Sequence, residues 1–410
     1  MKLRHPAGRV AVAAVALGAM FTVVAPAAAA PSAPDGPASG YIVMLHNSVD
    51  SAQAVAVEQT ARFGVTPGHV YQHALKGYSA QLTPAAVAAL SKDPSVAKVY
   101  PDGKVQIAVQ TFPSGINRVD GELSSTISGN GAGTVNVDIA IIDTGSGPHP
   151  DLNVVGGVNC VTPGGSFNDD HGHGTHVAGT AAARDDANSV VGVAPGARIW
   201  SVKVLNSGGG GTFAQIICGI DWVTARASTI EVANMSLGGG GANDACAGSA
   251  LHQAICNSVN RRVTYAVAAG NSNTDANTFV PATYNEVITV SAIADSNGLP
   301  GGGPATTCYP DVDDTFANFS NHGLDVDITA PGVCILSTAM GGGLATMSGT
   351  SMASPHVAGA AALYKAVVNP AATPAQVRAA LIAAGTLNWT WTLAEDPDGV
   401  KERLLNVNPF

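Results

Sequence analysis

The chain has 410 residues, with 19 Lys and Arg against 29 Asp and Glu, for a formal net charge of −10. Charged residues make up 12% and hydrophobic residues 46%, enough to bury a large core, which excludes wholesale disorder. The 48 glycines follow no triplet period, which excludes collagen, and the acidic balance argues against nucleic acid as a partner.

The first 30 residues read as an export signal. Lys2, Arg4 and Arg9 precede an apolar run over 10–24; Pro26 ends the run, and Ala28-Ala29-Ala30 offers the small residues a signal peptidase needs. The run is short for a membrane anchor, and no later stretch is long and charge-free enough to span a bilayer. The mature protein is therefore expected to be secreted and extracellular, without membrane contact. All six Cys lie between 160 and 334, and in an exported chain they favour three disulfides over metal thiolates.

Residues 31–39 (PSAPDGPAS) form a linker. Residues 40–108 read as a small α+β unit. Tyr41-Ile42-Val43-Met44-Leu45 is strand-like, 51–63 suits a helix, and Gly77-Tyr78-Ser79-Ala80-Gln81-Leu82 alternates as a half-buried strand. Thr83-Pro84 opens a second helix through Leu90, and 96–105 closes the unit as a strand. About 70 residues without Cys make a marginal domain that leans on a partner.

From 111 onward the pattern alternates. Apolar, β-branched runs at 135–143, 197–204, 229–235, 263–268 and 287–292 are separated by helical patterns at 173–183, 212–225 and 247–257. That alternation predicts an α/β domain with a mainly parallel sheet and helices on both faces. Ligands of such sheets sit beyond the carboxyl ends of the strands, where Asp143 and Asn271 fall.

Three segments carry chemistry. Ile141-Ile142-Asp143-Thr144-Gly145 ends a strand in an acid, although Asp alone is a common turn former. Asp170-His171-Gly172-His173-Gly174-Thr175-His176-Val177-Ala178-Gly179 places three His in six residues, but without a zinc-type spacing or a nearby Cys. His171 reads as a solvated loop residue and His176 as a satisfied core histidine, which leaves His173. Ser348-Gly349-Thr350-Ser351-Met352-Ala353-Ser354-Pro355-His356-Val357-Ala358-Gly359 leads a Gly-rich approach into an Ala-rich helix. Ser351 stands at its start, where the dipole favours negative charge and where a plain N-cap serine would also stand. A serine hydroxyl becomes a nucleophile with a base in reach and a third group to fix that base. Asp143, His173 and Ser351 supply those types in the order Asp, His, Ser.

These motifs, in this order, resemble those of the subtilisin-like serine proteases, specifically the branch containing proteinase K, over about 111–408. Residues 41–108 resemble the family's inhibitor-type prosegment, through Gly77-Tyr78-Ser79-Ala80 and the layout. The resemblance implies a secreted serine endopeptidase with a signal peptide at 1–30, a prosegment at 31–110 and a catalytic domain at 111–410, made as a self-processed zymogen. It implies a triad of Asp143, His173 and Ser351. Asn271, in Ala268-Ala269-Gly270-Asn271, would donate to the oxyanion beside the Ser351 N–H. Ser236-Leu237-Gly238 would pair with extended substrate, and with Ala268, Ala269 and Gly270 would wall an uncharged, apolar-leaning pocket. No cofactor is implied for the chemistry. A structural calcium is implied at Asn285, Val287 and Asp327. Sequential pairing of the cysteines, Cys160–Cys218, Cys246–Cys256 and Cys308–Cys334, is expected. Val177 stands where that branch often has Cys. The expected partners are protein and peptide substrates and the chain's own prosegment, and the protein is expected to be a monomer. A catalytically silent binding protein, a zinc protein using His171, His173 and His176, and an esterase stay open at this point.

Overall fold

The computed structural model describes residues 37–102, 110–306, 308–394, 396 and 398–410. The expected signal peptide and the end of the prosegment lie outside the described residues. The chain divides at 106/107 into two compact units.

The first unit is a four-stranded sheet with two helices. β1 (Ser39–Leu45), α1 (Ala52–Phe63), β2 (Pro67–Tyr71), β3 (Gly77–Leu82), α2 (Pro84–Leu90) and β4 (Val96–Pro101) follow in chain order, and the sheet order is β2-β3-β1-β4. Ser51 caps α1 by accepting from the Ala54 N–H, and Thr83 caps α2 by accepting from Ala86 with Pro84 in the first turn. The core is small: Val43, Leu45, Ala52, Ala56, Tyr78, Leu82 and Leu90 carry most of it. The polar Gln59 is buried there and accepts the Tyr78 hydroxyl at 2.5 Å.

The second unit opens with α3 (Ser114–Arg118). It continues with β5 (Asp138–Asp143), β6 (Val154–Asn159), α4 (His173–Ala182), β7 (Arg198–Lys203), α5 (Phe213–Thr224) and β8 (Val232–Met235). Then come β9 (Gly239–Gly240), α6 (Ala250–Asn260), β10 (Thr264–Ala268), β11 (Phe279–Val280), β12 (Ile288–Ile293) and β13 (Ile328–Pro331). The hairpin β14 (Ile335–Ala339) and β15 (Gly343–Met347), α7 (Thr350–Val367) and α8 (Pro374–Ala384) complete it. Seven strands form one sheet in the order β13-β12-β10-β8-β5-β7-β6, and every pair is parallel.

Strand alternation splits the interior into two layers. On β5, Ile139 and Ile141 face a core shared with Val177 and Ala181 of α4 and Val357 and Ala361 of α7. Ala140 and Ile142 face the opposite core, with Ile216 and Ile220 of α5 and Leu251 and Ile255 of α6. The sheet is thus covered on both faces, and it is parallel throughout.

Some boundaries differ from the sequence pattern. Residues 135–137 belong to the apolar run but stay outside the sheet, with the Val135 N–H bound to Pro195 O. α6 starts three residues later than the pattern indicates, because Ser249 caps it by accepting from the His252 N–H. β6 escapes sequence reading because Gly156 and Gly157 dilute it. They are needed there, since a Cβ on Gly157 would sit 2.0 Å from Ser201 O on the neighbouring strand. The three disulfides join Cys160 to Cys218, Cys246 to Cys256 and Cys308 to Cys334, with Cα–Cα distances of 6.0, 5.9 and 5.8 Å.

Candidate active site

Asp143 ends β5 at the carboxyl edge of the sheet, and its carboxylate is fully buried. One oxygen, Oδ1, accepts from the Thr144 N–H at 2.7 Å and from His173 Nδ1 at 2.8 Å. His173 opens α4, and two glycines let it approach. Gly172 precedes it at φ +104, and a Cβ on Gly174 would lie 2.0 Å from Gly145 O. Burial alone would lower the His173 pKa, but the adjacent Asp143 carboxylate outweighs it and raises the ring above its ordinary value.

Sequence reading missed the residue that holds this corner together. Asp169 Oδ1 accepts from Thr144 Oγ1 and from the N–H groups of His171 and Gly172, while Oδ2 accepts both from Thr175 N and Thr175 Oγ1. Burial opposes its charge, but these bonds win and hold its pKa below the ordinary value. The available signal was an Asp two and three residues before backbone donors in a Gly-rich turn.

His171 lies exposed on the loop. His176 is buried, with Nε2 facing Ile335 O at 3.0 Å and Ala345 O at 3.1 Å, and burial drives its pKa down to about 4. His173 pairs with Asp143 and His176 with two backbone carbonyls, while the His171 ring meets that of His173 edge-on, and among the described residues the three form no group placed to hold a metal.

Ser351 is the second residue of α7. Gly349 is the N-cap and makes no side-chain cap bond, so Ser351 is free of a capping role. Its hydroxyl donates to Ser236 O at 3.3 Å, and its carbonyl accepts from Ser236 Oγ at 2.7 Å. Asn234 on β8 donates to Ser236 Oγ at 2.9 Å and accepts from Ser354 Oγ at 2.7 Å, which ties α7 to the sheet. No hydrogen bond joins Ser351 Oγ to His173, but His173 and Ser236 line one cleft of about 650 Å³ with Leu205, Phe213 and Leu237. Such bonds often close only when substrate is present.

Asn271 follows β10. Its Oδ1 accepts from Thr350 N and Thr350 Oγ1, both at 2.8 Å, so the amide is oriented and Nδ2 is left to donate. Gly238 of the expected substrate edge lies so close to Phe279 that a Cβ would come within 2.4 Å of its ring. Gly270, at φ +108, is pressed against Asn321. Ala268, Ala269 and Gly270 do not line the 650 Å³ cleft.

The expected calcium position needs correction. Arg378 on α8 donates through Nη1 to Asn285 O at 2.8 Å and through Nη2 to Asp327 Oδ1; the other Asp327 oxygen accepts from the Thr289 N–H at 2.9 Å. A guanidinium therefore holds the carbonyl and carboxylate that an ion was expected to share, and Asn285, Val287 and Asp327 do not fit a calcium ion. The sequence pattern at 326–332 carried no sign of an arginine arriving from α8.

Comparison with known proteins agrees with this arrangement. Residues 134–399 match the subtilase family, and residues 40–108 match the peptidase inhibitor I9 family. Subtilisin E of Bacillus subtilis is 40% identical over 305 residues, covering 73% of each chain. An alkaline protease of Alkalihalobacillus alcalophilus is 38% identical over 300 residues, covering 73% of this chain and 71% of that one. An extracellular serine proteinase of a Thermus species is 37% identical over 371 residues, covering 87% and 82%. A solved structure of a cold-adapted subtilisin-like serine proteinase superposes with a TM-score of 0.58 at 33% identity, covering 74% of this chain and 99% of its own. The fold and site define a subtilisin-like serine protease. The chain belongs to the subtilase family and carries an I9-type inhibitor prosegment ahead of its peptidase unit. Its chemistry needs no cofactor.

Proposed function

We propose that the protein is a secreted endopeptidase in which Ser351 is the nucleophile, His173 the base and then acid, and Asp143 the group that orients His173. The 2.8 Å bond between His173 Nδ1 and a fully buried Asp143 carboxylate carries the reading. That bond places the proton on Nδ1 and leaves Nε2 to accept the Ser351 proton as Oγ attacks the scissile carbonyl. The tetrahedral oxyanion is stabilised by Asn271 Nδ2 and the Ser351 N–H, at the positive end of α7. The intermediate collapses as His173 protonates the leaving amine. Water, activated by the same ring, then hydrolyses the acyl-enzyme.

A serine-directed fluorophosphonate tests this. It should label Ser351 in the wild-type protein, and labelling should fall as the medium is acidified. The sign follows from the base: protonated His173 cannot accept the serine proton. Because Asp143 raises its pKa, the midpoint should lie above the ordinary histidine value of 6.5. No labelling at about pH 8, where an unperturbed imidazole is neutral, would remove the assignment.

Substrate pairs with Ser236-Leu237-Gly238 as an added strand along the cleft, and the residue before the cut occupies a separate pocket backed by the buried Ala268, Ala269 and Gly270, which stand outside that cleft. These walls carry no charge, so preference is broad and apolar. A peptide library should show apolar residues ahead of Lys and Arg at that position; a basic-dominated profile would contradict it. Residues 1–30 act as signal peptide, 31–110 as an inhibitory folding aid removed by self-cleavage between about 106 and 112, and 111–410 as the peptidase. The working form is an extracellular monomer.

A further inference from the structure

We propose that Asp396, Asp398 and Glu402, in the segment after α8, form a calcium-binding site. Each offers a carboxylate oxygen lying within 4.8 Å of the other two. Asp396 is wholly buried and Glu402 is 5% exposed. Asp396 Oδ1, Asp398 Oδ2 and Glu402 Oε2 are all shielded from solvent, and none of them accepts from a backbone N–H or a non-carboxyl side chain among the described residues; the one donor available is a proton shared between the Asp396 and Glu402 carboxyls. The remaining oxygens of the two aspartates are occupied. Trp391 Nε1 donates to Asp396 Oδ2 at 2.9 Å, and the Val400 N–H donates to Asp398 Oδ1 at 2.7 Å. Each aspartate therefore keeps one oxygen free of a fixed donor. Gly399, at φ +85, makes the turn that brings Glu402 back.

Two buried carboxylates and a half-buried third, converging with no donor beyond one shared proton, are costly, because each repels the others and their facing oxygens are not solvated. Protein cations do not answer them. Lys401 is spent on the carbonyls of Leu387 at 2.8 Å and Trp389 at 2.5 Å. His322 acts on Asp396 only through its field. A bound ion resolves the conflict. The donor set is all oxygen and anionic, with no sulfur or ring nitrogen placed to ligate, which selects a hard cation. Calcium bonds oxygen at about 2.3–2.6 Å, so ligands on opposite sides of the ion stand up to about 5 Å apart, in keeping with the observed spread. Its tolerance of irregular geometry suits a loop better than the strict octahedron of magnesium.

The experiment uses the secreted protein, blocked with a serine-directed sulfonyl fluoride against self-digestion, and follows its melting temperature in EDTA and in millimolar calcium chloride. Calcium should raise the wild-type value by about 5 °C or more. Asp398→Asn, at a half-buried position, and Glu402→Gln should each lose that rise. In EDTA both should melt at or above the wild type, because like-charge repulsion is relieved. A wild-type melting temperature indifferent to calcium overturns the proposal, as does a rise that persists in Asp398→Asn. The competing state is a proton held by Glu402, whose pKa is raised from 4.5 to about 9 by burial and by Asp396. That state predicts stability falling as pH rises between those two values, with no calcium response, and such a result would also overturn the site.

Discussion

Ser351→Ala is expected to reduce peptide hydrolysis on the order of a million-fold, the scale known for the serine of subtilisin itself, while leaving the melting temperature nearly unchanged. The fold should survive because the Ser351 side chain contributes one long hydrogen bond, at 3.3 Å to Ser236 O, whereas its backbone carbonyl keeps the shorter bond from Ser236 Oγ. His173→Ala should lose about as much, and the double variant little more, since base and nucleophile act as a unit. The same substitution separates self-processing from processing by another enzyme. Ser351→Ala expressed alone in a protease-free host should keep residues 31–110 attached, whereas the wild type should begin near 106–112. Near-native turnover in Ser351→Ala would end the triad assignment, and trimming of that variant at the same bond would end self-cleavage.

Asn271→Ala is expected to lower kcat by roughly 10²–10³-fold, about 3–4 kcal/mol, with KM little changed, again on the scale known from subtilisin. The expectation for KM is geometric. Asn271 Oδ1 is fixed by Thr350, so only Nδ2 faces the reaction, and it meets charge that appears only as the oxyanion forms. A rise in KM with unchanged kcat would mean that Asn271 merely holds substrate. Loss of the Thr350 bonds also removes an acceptor at the start of α7, so a small drop in melting temperature is expected beside the kinetic effect.

Much of the proposed site is legible in the sequence because the residues it uses stand in local patterns. Asp143 closes a run of buried β-branched residues, His173 stands between two glycines, and Ser351 follows Gly349. The helices α4 and α5 are also legible, since their apolar spacing lies within a short stretch of chain; Thr212, where the second pattern starts, is the cap of α5 and accepts from the Gln215 N–H. What escaped reading depends on partners far along the chain. Nothing near Asp327 announces Arg378, and nothing near Ser351 announces Asn234 and Ser354 as the bolt between α7 and β8. β6 was hidden for the opposite reason: its glycines weaken the strand pattern locally, and only the adjacent Ser201 carbonyl and Trp200 ring explain them. Chain-local patterns point to the residues proposed to react, while the contacts that fix them in place come from segments far along the chain.

The sheet order has a consequence for timing. β5, which carries Asp143, lies near the middle of the sheet with β8 and β7 as neighbours, while Ser351 follows β13, an edge strand and the last of the seven to be synthesised. A growing chain therefore emerges with the proposed acid and base, Asp143 and His173, long before the proposed nucleophile. All of the parallel strands have left the ribosome by the time Ser351 appears. With the proposed triad, no nascent chain that still lacks the segment after β13 can carry out the reaction, so truncated products ending before Ser351 should be inert toward a serine-directed fluorophosphonate.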